Sequence, residues 1–524
     1  MRQDMEKELH LIEKKRTGLF ALIFSRTGVI LILFALAVLT VLGIMNWFAG
    51  LIAHITAGII LFNIIVIIYL VNSEMDSSAK TTWILVIAIT SIFGTLFYLY
   101  TRSSLGYAAL REGHKKLLRD HKNDLIQDGA VINSLETDSP ETRDLVTYLN
   151  RSGTYPVTQH NEVTYYPLGE DKWKDMLIEL EKAKHFIFME YFIIDEGKMW
   201  GTILAILKRK AEEGVEVRVM YDGMCALSTL PLNYPKMLEG IGIKAKMFSP
   251  LTPFVSTHYN YRDHRKILVI DGKVGFNGGV NLADEYVNEI ERFGHWKDTA
   301  IRIKGPAVNN LTLMFLNMWE IFSQDADYAK YLNVPADFYD SAKGYVIPYA
   351  DNPFDDDKVG EKVYMSILNR ANHYVHIMSP YLILDDELLM ALKYAAERSI
   401  DVKLILPGIP DKKMVYDLAK RYFRTLLDSG VKIYLYTPGF VHAKVFVSDD
   451  IKAVVGTINL DYRSLYHHFE CATYLYDTDC IKDIEEDFTK TLEGCHQVTI
   501  EDVKNEKFLV RLTGGLARLI APLL

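Results

Sequence analysis

The sequence predicts an α/β fold in which a duplicated α/β domain follows a group of N-terminal transmembrane helices. The first observation is an apolar run from Gly28 to Asn72 that contains no Asp, Glu, Lys or Arg. At 1.5 Å per helical residue this run is too long for one membrane span and fits two. The second observation is that apolar strand-like stretches alternate with charged helical stretches from about residue 171, and that this alternation occurs twice.

The N-terminal apolar region, 28–100, predicts about three spans, at 28–48, 51–71 and 82–100. Basic residues in the N-terminal segment 1–27 favour a cytoplasmic N-terminus, and basic residues after the last span favour a cytoplasmic C-terminal region. Three spans cannot satisfy both preferences, so either one segment is re-entrant or one end departs from the rule. We therefore expect a multi-pass protein of the cell membrane and leave open which side the C-terminal region faces.

The rest of the chain predicts a helical, charged connector at 101–160 and two similar halves at 161–340 and 341–524. Apolar runs such as FIFME and YVHIM predict buried parallel strands, and the lysine- and glutamate-rich stretches between them predict crossover helices. The stretches that resemble one another are 181–193 and 369–383, then 207–223 and 392–408, then 238–248 and 426–436.

Composition narrows the class of function. Hydrophobic residues make up 49% of the 524 residues, which is high for a soluble protein. The net charge of −9 argues against nucleic acid as a partner, because phosphate backbones call for basic surfaces. The four cysteines are scattered without a CxxC pair, so they predict neither a zinc site nor a disulfide framework.

One motif occurs once in each half with the same internal spacing. His264, Lys266, Asp271 and Asn281 follow the order His-x-Lys, four residues, Asp, then Asn ten residues on. The second copy consists of His442, Lys444, Asp449 and Asn459. A single copy would be a weak signal, whereas two copies with matched spacing predict one site shared by both halves.

The spacing has a chemical meaning. HRKILVI and HAKVFVS predict strands, and residues two apart on a strand share a face, so each histidine is expected beside its lysine. Histidine can attack phosphorus or move a proton, while lysine and asparagine can stabilise the equatorial oxygens of a phosphoryl transition state. The three side chains of each copy could therefore take part in phosphoryl transfer.

The two copies resemble the paired HKD motifs of the phospholipase D superfamily, and the N-terminal apolar segments together with the ending ARLIAPLL resemble the bacterial cardiolipin synthases. This resemblance covers nearly the whole chain and implies a duplicated phospholipase D-like domain. It implies a phosphatidyltransferase whose catalytic residues are those of the two HKD motifs. The catalytic residues implied are His264, Lys266, Asp271, His442, Lys444 and Asp449.

The resemblance also implies supporting residues. An acid beyond each asparagine typically backs the motif histidine, so Asp298 would support His264 and Glu470 would support His442. The family commonly has Asn two residues before the second acid, whereas this chain has His468, which puts that contact in doubt. Asp271 and Asp449 end their strands and look more structural than chemical.

Strand ends provide further candidates. Glu190 and Tyr191 lie at the end of a predicted strand in the first half, and Ser379 and Tyr381 lie at the matching place in the second, so these four residues are possible pocket residues. The other histidines lack the spacing of metal ligands, and we expect neither a metal nor another cofactor. The loop 249–263 is longer than its counterpart in the second half, and we expect it to approach the membrane.

The expected reaction is transfer of a phosphatidyl group from one phosphatidylglycerol to another through a phosphohistidine, giving cardiolipin and glycerol. We expect His264 to be the nucleophile, although the near symmetry of the copies leaves the order of the two histidines open. A membrane-bound phospholipase D-type hydrolase or another phosphatidyltransferase is the alternative, and an inactive membrane scaffold is a remote one. The sequence does not rank acceptors or give an oligomeric state.

Overall fold

The computed structural model describes residues 35–40, 52–102, 108–249, 261–321, 327–332, 334–335, 337–355 and 357–523. The chain divides into two compact units. One contains the described residues between 110 and 518, and the other contains the described residues between 35 and 109 together with 519–523. We call them the catalytic unit and the helical unit and describe each by itself.

The helical unit contains three helices with full bounds, which are α1 (Ile52–Val71), α2 (Ser77–Thr90) and α3 (Ile92–Arg102). Among the described residues one helix is long and apolar enough to cross a bilayer, from His54 to Val71, with a mean hydropathy of 2.4. It coincides with the predicted span 51–71. Of the predicted span 28–48, residues 35–40 are helical, and the rest lies outside the described residues.

The prediction of one third span at 82–100 was wrong, because these residues belong to two helices. The helical conformation is interrupted at Ser91, which has a φ of 52° and separates α2 from α3. The ring of Trp83 lies 5.2 Å from that of Tyr98, whereas 15 residues of straight helix would separate them by about 22 Å. The two helices therefore form a tight antiparallel hairpin, which we call the α2–α3 hairpin.

The tip of this hairpin contacts α1 through polar side chains. Asn63 donates to Ser91 Oγ at 3.1 Å and accepts from Thr95 Oγ1 at 2.6 Å. Asn63 precedes the end of α1 at Val71 by eight residues, about 12 Å along the helix axis. The tip therefore reaches well into the length of α1, and Trp83 packs with Val66, Leu70 and other apolar residues below it.

The catalytic unit begins with three helices and then forms the first half of the duplicated domain. The helices are α4 (Ala108–Asp120), α5 (Gly129–Asp138), α6 (Pro140–Gly153), α7 (Gly169–Glu181), α8 (Lys198–Glu212), α9 (Cys225–Ser228), α10 (Tyr234–Glu239), α11 (Val308–Glu320) and α12 (Tyr328–Leu332). The strands are β1 (Glu162–Tyr166), β2 (Phe186–Tyr191), β3 (Glu216–Asp222), β4 (Lys244–Phe248), β5 (Arg262–Asp263), β6 (Lys266–Ile270), β7 (Val274–Gly278), β8 (His295–Lys297) and β9 (Ala300–Lys304). A 3-10 turn covers Asp284–Val287.

The second half repeats this order and ends in a C-terminal helix. Its strands are β10 (Tyr345–Asp351), β11 (Tyr374–Met378), β12 (Asp401–Pro407), β13 (Lys432–Tyr436), β14 (Gly439–Val441), β15 (Val445–Ser448), β16 (Lys452–Gly456), β17 (His468–Tyr476) and β18 (Cys495–Gln497). Its helices are α13 (Val359–Arg370), α14 (Asp386–Glu397), α15 (Lys413–Asp428), α16 (Tyr462–Tyr466), α17 (Cys480–Glu493), α18 (Ile500–Lys504) and α19 (Phe508–Ile520). A 3-10 turn covers Ala521–Leu523.

Each half is built on one mixed sheet. The first sheet has the order β1-β9-β7-β6-β2-β3-β4, and the path of the second is β10-β17-β16-β15-β11-β12-β13-β18. In both sheets the predicted parallel strands are confirmed, since β2, β3 and β4 run parallel, as do β11, β12 and β13. The motif strands β6 and β15 pair antiparallel to β2 and β11, so the duplication extends to the strand register.

Two short parallel ladders join the halves. The strand β5 pairs with the start of β17, Arg262 opposite His468 and Asp263 opposite Phe469. In the same way β14 pairs with β8, and Val441 lies opposite Lys297. Each segment that leads into a motif histidine is thus hydrogen-bonded to a strand of the other half.

Candidate active site

The motif histidines lie between strands rather than on them. His264 falls between β5 and β6, and His442 directly follows β14. The backbone N–H of His264 donates to Phe469 O at 2.9 Å, and that of His442 donates to Lys297 O at 2.7 Å. The prediction that each histidine belongs to the motif strand was therefore wrong, because a ladder to the other half holds this part of the backbone.

The supporting acids are exchanged between the halves, which corrects the predicted pairing. His264 Nδ1 lies 2.8 Å from Glu470 Oε1, and His442 Nδ1 lies 2.6 Å from Asp298 Oδ2. The predicted pairs kept each acid with the histidine of its own half. The reason is the register of the two ladders, which sets Phe469 beside His264 and Lys297 beside His442, so the next residue in each case is the acid.

Each pair leaves one ring nitrogen available for chemistry. A carboxylate that accepts from Nδ1–H fixes the tautomer in which Nε2 carries the lone pair. His264 and His442 are 6% and 7% exposed, and the two carboxylates are fully buried. The arrangement therefore supplies two oriented imidazoles that can act as nucleophile, base or acid.

The site is rich in buried positive charge. Burial, and then the nearby charges of Lys266 and Lys444, lower the pKa of His264 well below its ordinary value. Burial is also the main reason that the pKa of His442 falls to about 4. Burial lowers the pKa of Lys266 to about 8 and that of Lys444 to about 7. Because each motif acts on the histidine of the other, both copies lie in one site that suits an anion.

The two asparagines of the motif are also buried in this region. Asn281 Oδ1 accepts from the backbone N–H of Ile193 at 3.0 Å, which orients the carboxamide. Asn459 is 4% exposed, and its Oδ1 has no hydrogen-bond partner among the described residues. Both positions agree with a role as supporting residues, which stays a prediction.

The corner before each asparagine is fitted to the supporting acid. A Cβ on Gly279 would lie 2.1 Å from Asp298 Oδ1, so only glycine leaves room for that carboxylate. At the matching place Thr457 Oγ1 donates to Glu470. The sequence reads Gly-Gly-Val-Asn at 278–281 and Gly-Thr-Ile-Asn at 456–459, but it does not show which acid contacts the second residue of each.

Asp271 and Asp449 have a structural role, and listing them with the catalytic residues is corrected here. The carboxylate of Asp271 accepts from the backbone N–H groups of Lys184, His185 and Phe186 at 2.7–2.8 Å. The carboxylate of Asp449 accepts from the equivalent three N–H groups, including Tyr374. Both residues close the turn at the far end of the motif strand, away from the histidine that precedes it.

Three of the four possible pocket residues are packing residues, which corrects that prediction. Glu190 is fully buried and forms an ion pair with Arg265 Nε at 2.7 Å. Tyr191 is part of the apolar core of the first half, and Ser379 Oγ donates to a backbone carbonyl. Tyr381 differs, because it lines a recess with Lys412, Phe440 and neighbouring residues, and its hydroxyl donates to Asp411.

The surroundings of the two histidines differ. His442 is flanked by Tyr286, Trp296 and Phe440, with ring centroids 5.3–5.9 Å away. His264 is flanked by Phe192 at 4.9 Å and by His468 at 5.3 Å. One side of the site is therefore aromatic, and the other contains a third imidazole.

His468 occupies the position at which the sequence departs from the family pattern. It is 7% exposed, and its Nδ1 lies 3.3 Å from Glu470 Oε1. Neither ring nitrogen makes a well-directed hydrogen bond to the described residues. His264, His468 and Glu470 together bring three possible metal ligands within 4.8 Å. The adjacent charge of Lys266 and Lys444 opposes a cation there.

Lys172 is a further charged residue that sequence reasoning missed. It is 2% exposed, and its Nζ lies 3.3 Å from both Tyr191 OH and Val280 O, so it holds the loop that contains Asn281. Burial lowers the pKa of Lys172 to about 7. A lysine in a polar helix gives no sequence signal for such a position. The loop that we predicted to approach the membrane lies largely outside the described residues, at 250–260.

Comparison with known proteins identifies the family of the duplicated domain. The family described as "Cardiolipin synthase, PLD-like domain" matches residues 176–319 and 364–492. The phospholipase D-nuclease N-terminal family matches residues 61–102. The first match covers both halves of the duplicated domain and excludes the helical unit.

Full-length relatives extend the match. A protein of Streptococcus mutans described as uncharacterized is 58% identical over 459 residues, 87% of this chain and 99% of that protein. A cardiolipin synthase of Alkalihalophilus pseudofirmus is 33% identical over 492 residues, 91% of this chain and 95% of that protein. A cardiolipin synthase of Geobacillus kaustophilus is 34% identical over 475 residues, 88% and 92% of the two chains.

Among solved structures, phosphatidylserine synthase of Haemophilus influenzae aligns with a TM-score of 0.54 at 15% identity, covering 73% of this chain and 98% of that one. At this identity the likeness concerns the fold alone. The family model matches both halves of the duplicated domain, and relatives at least 33% identical match along about 90% of the chain. This chain belongs to the cardiolipin synthase family of the phospholipase D superfamily.

Proposed function

We propose that this phosphatidyltransferase is a cardiolipin synthase that joins two phosphatidylglycerol molecules and releases glycerol. The observation that carries the proposal is the pair of buried imidazoles, each held at Nδ1 by a carboxylate of the other half, beside Lys266 and Lys444. Two imidazoles permit a double displacement, in which one forms a covalent intermediate and the other transfers protons. The relatives named cardiolipin synthase supply the substrate class.

In the first step His264 Nε2 attacks the phosphorus of one phosphatidylglycerol, and the P–O bond to the headgroup glycerol breaks. His442 gives its proton to the departing oxygen, so glycerol leaves as a neutral alcohol. Glu470 stabilises the positive charge that develops on the His264 ring, and the two lysines stabilise the phosphoryl oxygens. The product is a phosphatidyl group bound to Nε2 of His264.

In the second step the terminal hydroxyl of another phosphatidylglycerol attacks the phosphohistidine. His442, now neutral, removes the hydroxyl proton, and the P–N bond to His264 breaks. The lipid product is cardiolipin, and both histidines return to their starting states. We assign His264 as the nucleophile. The same scheme also balances if His442 is the nucleophile and His264 transfers the protons.

The proton that His442 gives away requires the bound substrate. In the free enzyme, burial lowers the pKa of His442 to about 4, so its ring is neutral at pH 7. A phosphodiester anion offsets the positive charge of Lys266 and Lys444, and this raises the proton affinity of His442. We infer that His442 takes up the catalytic proton when the substrate binds.

We propose a multi-pass attachment in which α1 and the predicted span 28–48 cross the bilayer and the α2–α3 hairpin enters and leaves on one side. The lengths support this, since 14 and 11 helical residues extend about 21 and 17 Å, against about 30 Å of hydrocarbon. The hydrogen bonds from Asn63 to the hairpin tip satisfy polar groups that lipid could not. The basic residues on both flanks are then on the same side, as the charge rule favours.

The test uses the purified full-length protein in detergent with phosphatidylglycerol as sole lipid, followed by mass spectrometry of the products. Cardiolipin and glycerol should form in equal amounts, and labelled glycerol should enter phosphatidylglycerol through the reverse of the first step. The His264→Ala and His442→Ala variants serve as matched inactive controls. Phosphatidic acid as the main product, without glycerol exchange, would instead establish the hydrolase.

A further inference from the structure

The C-terminal helix α19 presents a continuous apolar stripe that nothing in the described part of the chain covers. Its outward residues are Phe508, Leu509, Leu512, Leu516 and Leu519, with exposures of 79, 67, 46, 58 and 51%. At 100° per residue these five positions fall within an arc of about 100°. Five large apolar side chains in one row form a contiguous patch, whereas the surface of a soluble protein usually has apolar residues singly.

The opposite face of α19 is fitted closely to the catalytic unit. A Cβ on Gly514 would lie 2.4 Å from Asp417 O, so glycine allows the helix to approach α15. Thr513 Oγ1 donates to Asp417 Oδ2 at 3.0 Å, and Ala517 is 3% exposed. The helix is therefore anchored by its small residues, and the orientation of the apolar stripe away from α15 is fixed by packing.

Two features identify what covers the stripe. The last residues of the chain count with the helical unit, in which Thr82 Oγ1 of α2 donates to Leu519 O at 2.7 Å. The sequence from Phe508 to Leu524 contains Arg511 and Arg518 but no acidic residue. The stripe is flanked by arginines and lies where the chain enters the helical unit. This is the composition of a helix in a lipid interface.

We propose that α19 lies in the plane of the membrane interface, with Leu512 and Leu516 among the acyl chains and the arginines beside anionic headgroups. This goes beyond attachment by transmembrane helices, because it fixes one face of the catalytic unit on the bilayer that supplies its substrate. A helix docked in this way holds the unit at one orientation, whereas a flexible tether alone would leave its site free to turn away.

The test places an environment-sensitive NBD label on a cysteine introduced at position 512 or 516 of the full-length protein, in a Cys495→Ser background whose remaining cysteines are buried. The control label is at position 174, where the Lys174 side chain is exposed on α7. In vesicles of phosphatidylglycerol and phosphatidylethanolamine, labels 512 and 516 should emit at shorter wavelength and be quenched by doxyl lipids, and label 174 should not. Absence of quenching at both positions would overturn the proposal.

A second arm separates lipid from a second copy of the chain. If two copies covered the stripe, label 512 would shift without lipid quenching and would crosslink between chains, which would also overturn the proposal. The Leu512→Glu/Leu516→Glu variant should raise the apparent KM in vesicles by on the order of tenfold or more, because two leucines that insert among the acyl chains are lost. Leu512→Met/Leu516→Met should retain the wild-type KM. Turnover of a short-chain lipid in micelles should change little in both variants, so failure of this inference is distinguishable from failure of the reaction itself.

Discussion

At the scale of single residues, the site depends on two short hydrogen bonds that cross between the halves. His264 is held by Glu470, and His442 is held by Asp298. Each carboxylate is fully buried, so its only compensation is the imidazole and the few donors around it. Removing either carboxylate therefore changes the tautomer and orientation of one histidine, while both histidines stay in the site.

The exchanged pairing predicts that a variant of each acid has the same kinetic defect as a variant of the histidine in the other half. With a phosphatidyl ester of p-nitrophenol, the leaving group needs no acid, so the nucleophile is required and the acid is not. If His264 is the nucleophile, Glu470→Gln and His264→Ala should both lose the nitrophenol burst. Asp298→Asn and His442→Ala should keep it and lose only turnover with phosphatidylglycerol, by on the order of a hundredfold or more.

The measurement is rapid-mixing absorbance of released nitrophenol, with total lipid product as the second readout. If His442 is the nucleophile, the two groups exchange behaviour, but Glu470 still groups with His264. An Asp298→Asn variant that behaves like His264→Ala would contradict the crossed pairs.

The lowered pKa values of the two lysines predict a pH dependence. In the free enzyme the proton uptake by His442 already makes kcat/KM for the anionic lipid fall with rising pH. This fall should become steeper as Lys266 and Lys444 lose their charge through about pH 7 to 8. Bound phosphate favours the charged lysines and raises their pKa values, so kcat should fall only at higher pH. Steady-state rates in mixed micelles from pH 6 to 10 measure both, with a return to pH 7 as the control for denaturation. A fall of kcat/KM that does not steepen above pH 7 would contradict the assignment to the lysines.

At the scale of elements, the α2–α3 hairpin changes the interpretation of the apolar region. A hydropathy window over 82–100 sees one continuous span, because the window does not register that Ser91 adopts a left-handed φ. The reversal of the chain is stabilised by the aromatic contact between Trp83 and Tyr98 and by the polar contacts of Asn63. Both are contacts between distant residues, so periodicity alone could not reveal them.

The hairpin predicts the sidedness of the membrane segment. Single cysteines at positions 10, 73 and 122 should all react with a membrane-impermeant maleimide from the same side, because the hairpin returns to the side it entered. A cysteine at position 50, between the two spans, should react from the other side and serves as the opposite control. Opposite sidedness of positions 73 and 122, measured in sealed vesicles of both orientations, would show that 77–102 crosses the bilayer.

Other elements followed directly from the sequence. Continuous apolar runs such as those of β2 and β11 predicted buried parallel strands, and the structure has them in parallel ladders. The matched motif spacing predicted two histidines in one site. Sequence could not give the exchange of acids, because β5 and β14 have two and three residues and their partners lie in the other half. Segments so short have no periodicity to interpret.

At the scale of the whole molecule, the catalytic unit is a pair of halves fastened to one another. The ladders β5–β17 and β14–β8 join them, and Asn310 of α11 donates to both Pro156 O and Pro348 O. The core of the first half includes Phe440 of the second. Separation of the halves would therefore expose apolar surface and disarm both histidines at once.

This joining predicts that a cut between the halves leaves the enzyme assembled. A protease site inserted between Ser341 and Ala342, ahead of β10, should be cleaved without dissociation, and cardiolipin synthesis should continue at close to the uncut rate. Size exclusion in detergent and activity before and after cleavage provide the measurement, with the uncut insertion variant as control. Fragments that separate without denaturant would show that the contacts between the halves are weaker than the structure indicates.

The exchanged acids have a consequence for symmetry. A single half presents its histidine without the acid that orients it, and presents its acid without the histidine that needs it. Two identical copies related by a two-fold axis would complete one another with no additional residue, as an isologous dimer does when residue i meets j and j meets i. Joining two such copies in one chain then releases each from identity with the other. The aromatic surroundings of His442 and the third imidazole beside His264 are differences that two identical copies in a symmetric dimer could not have.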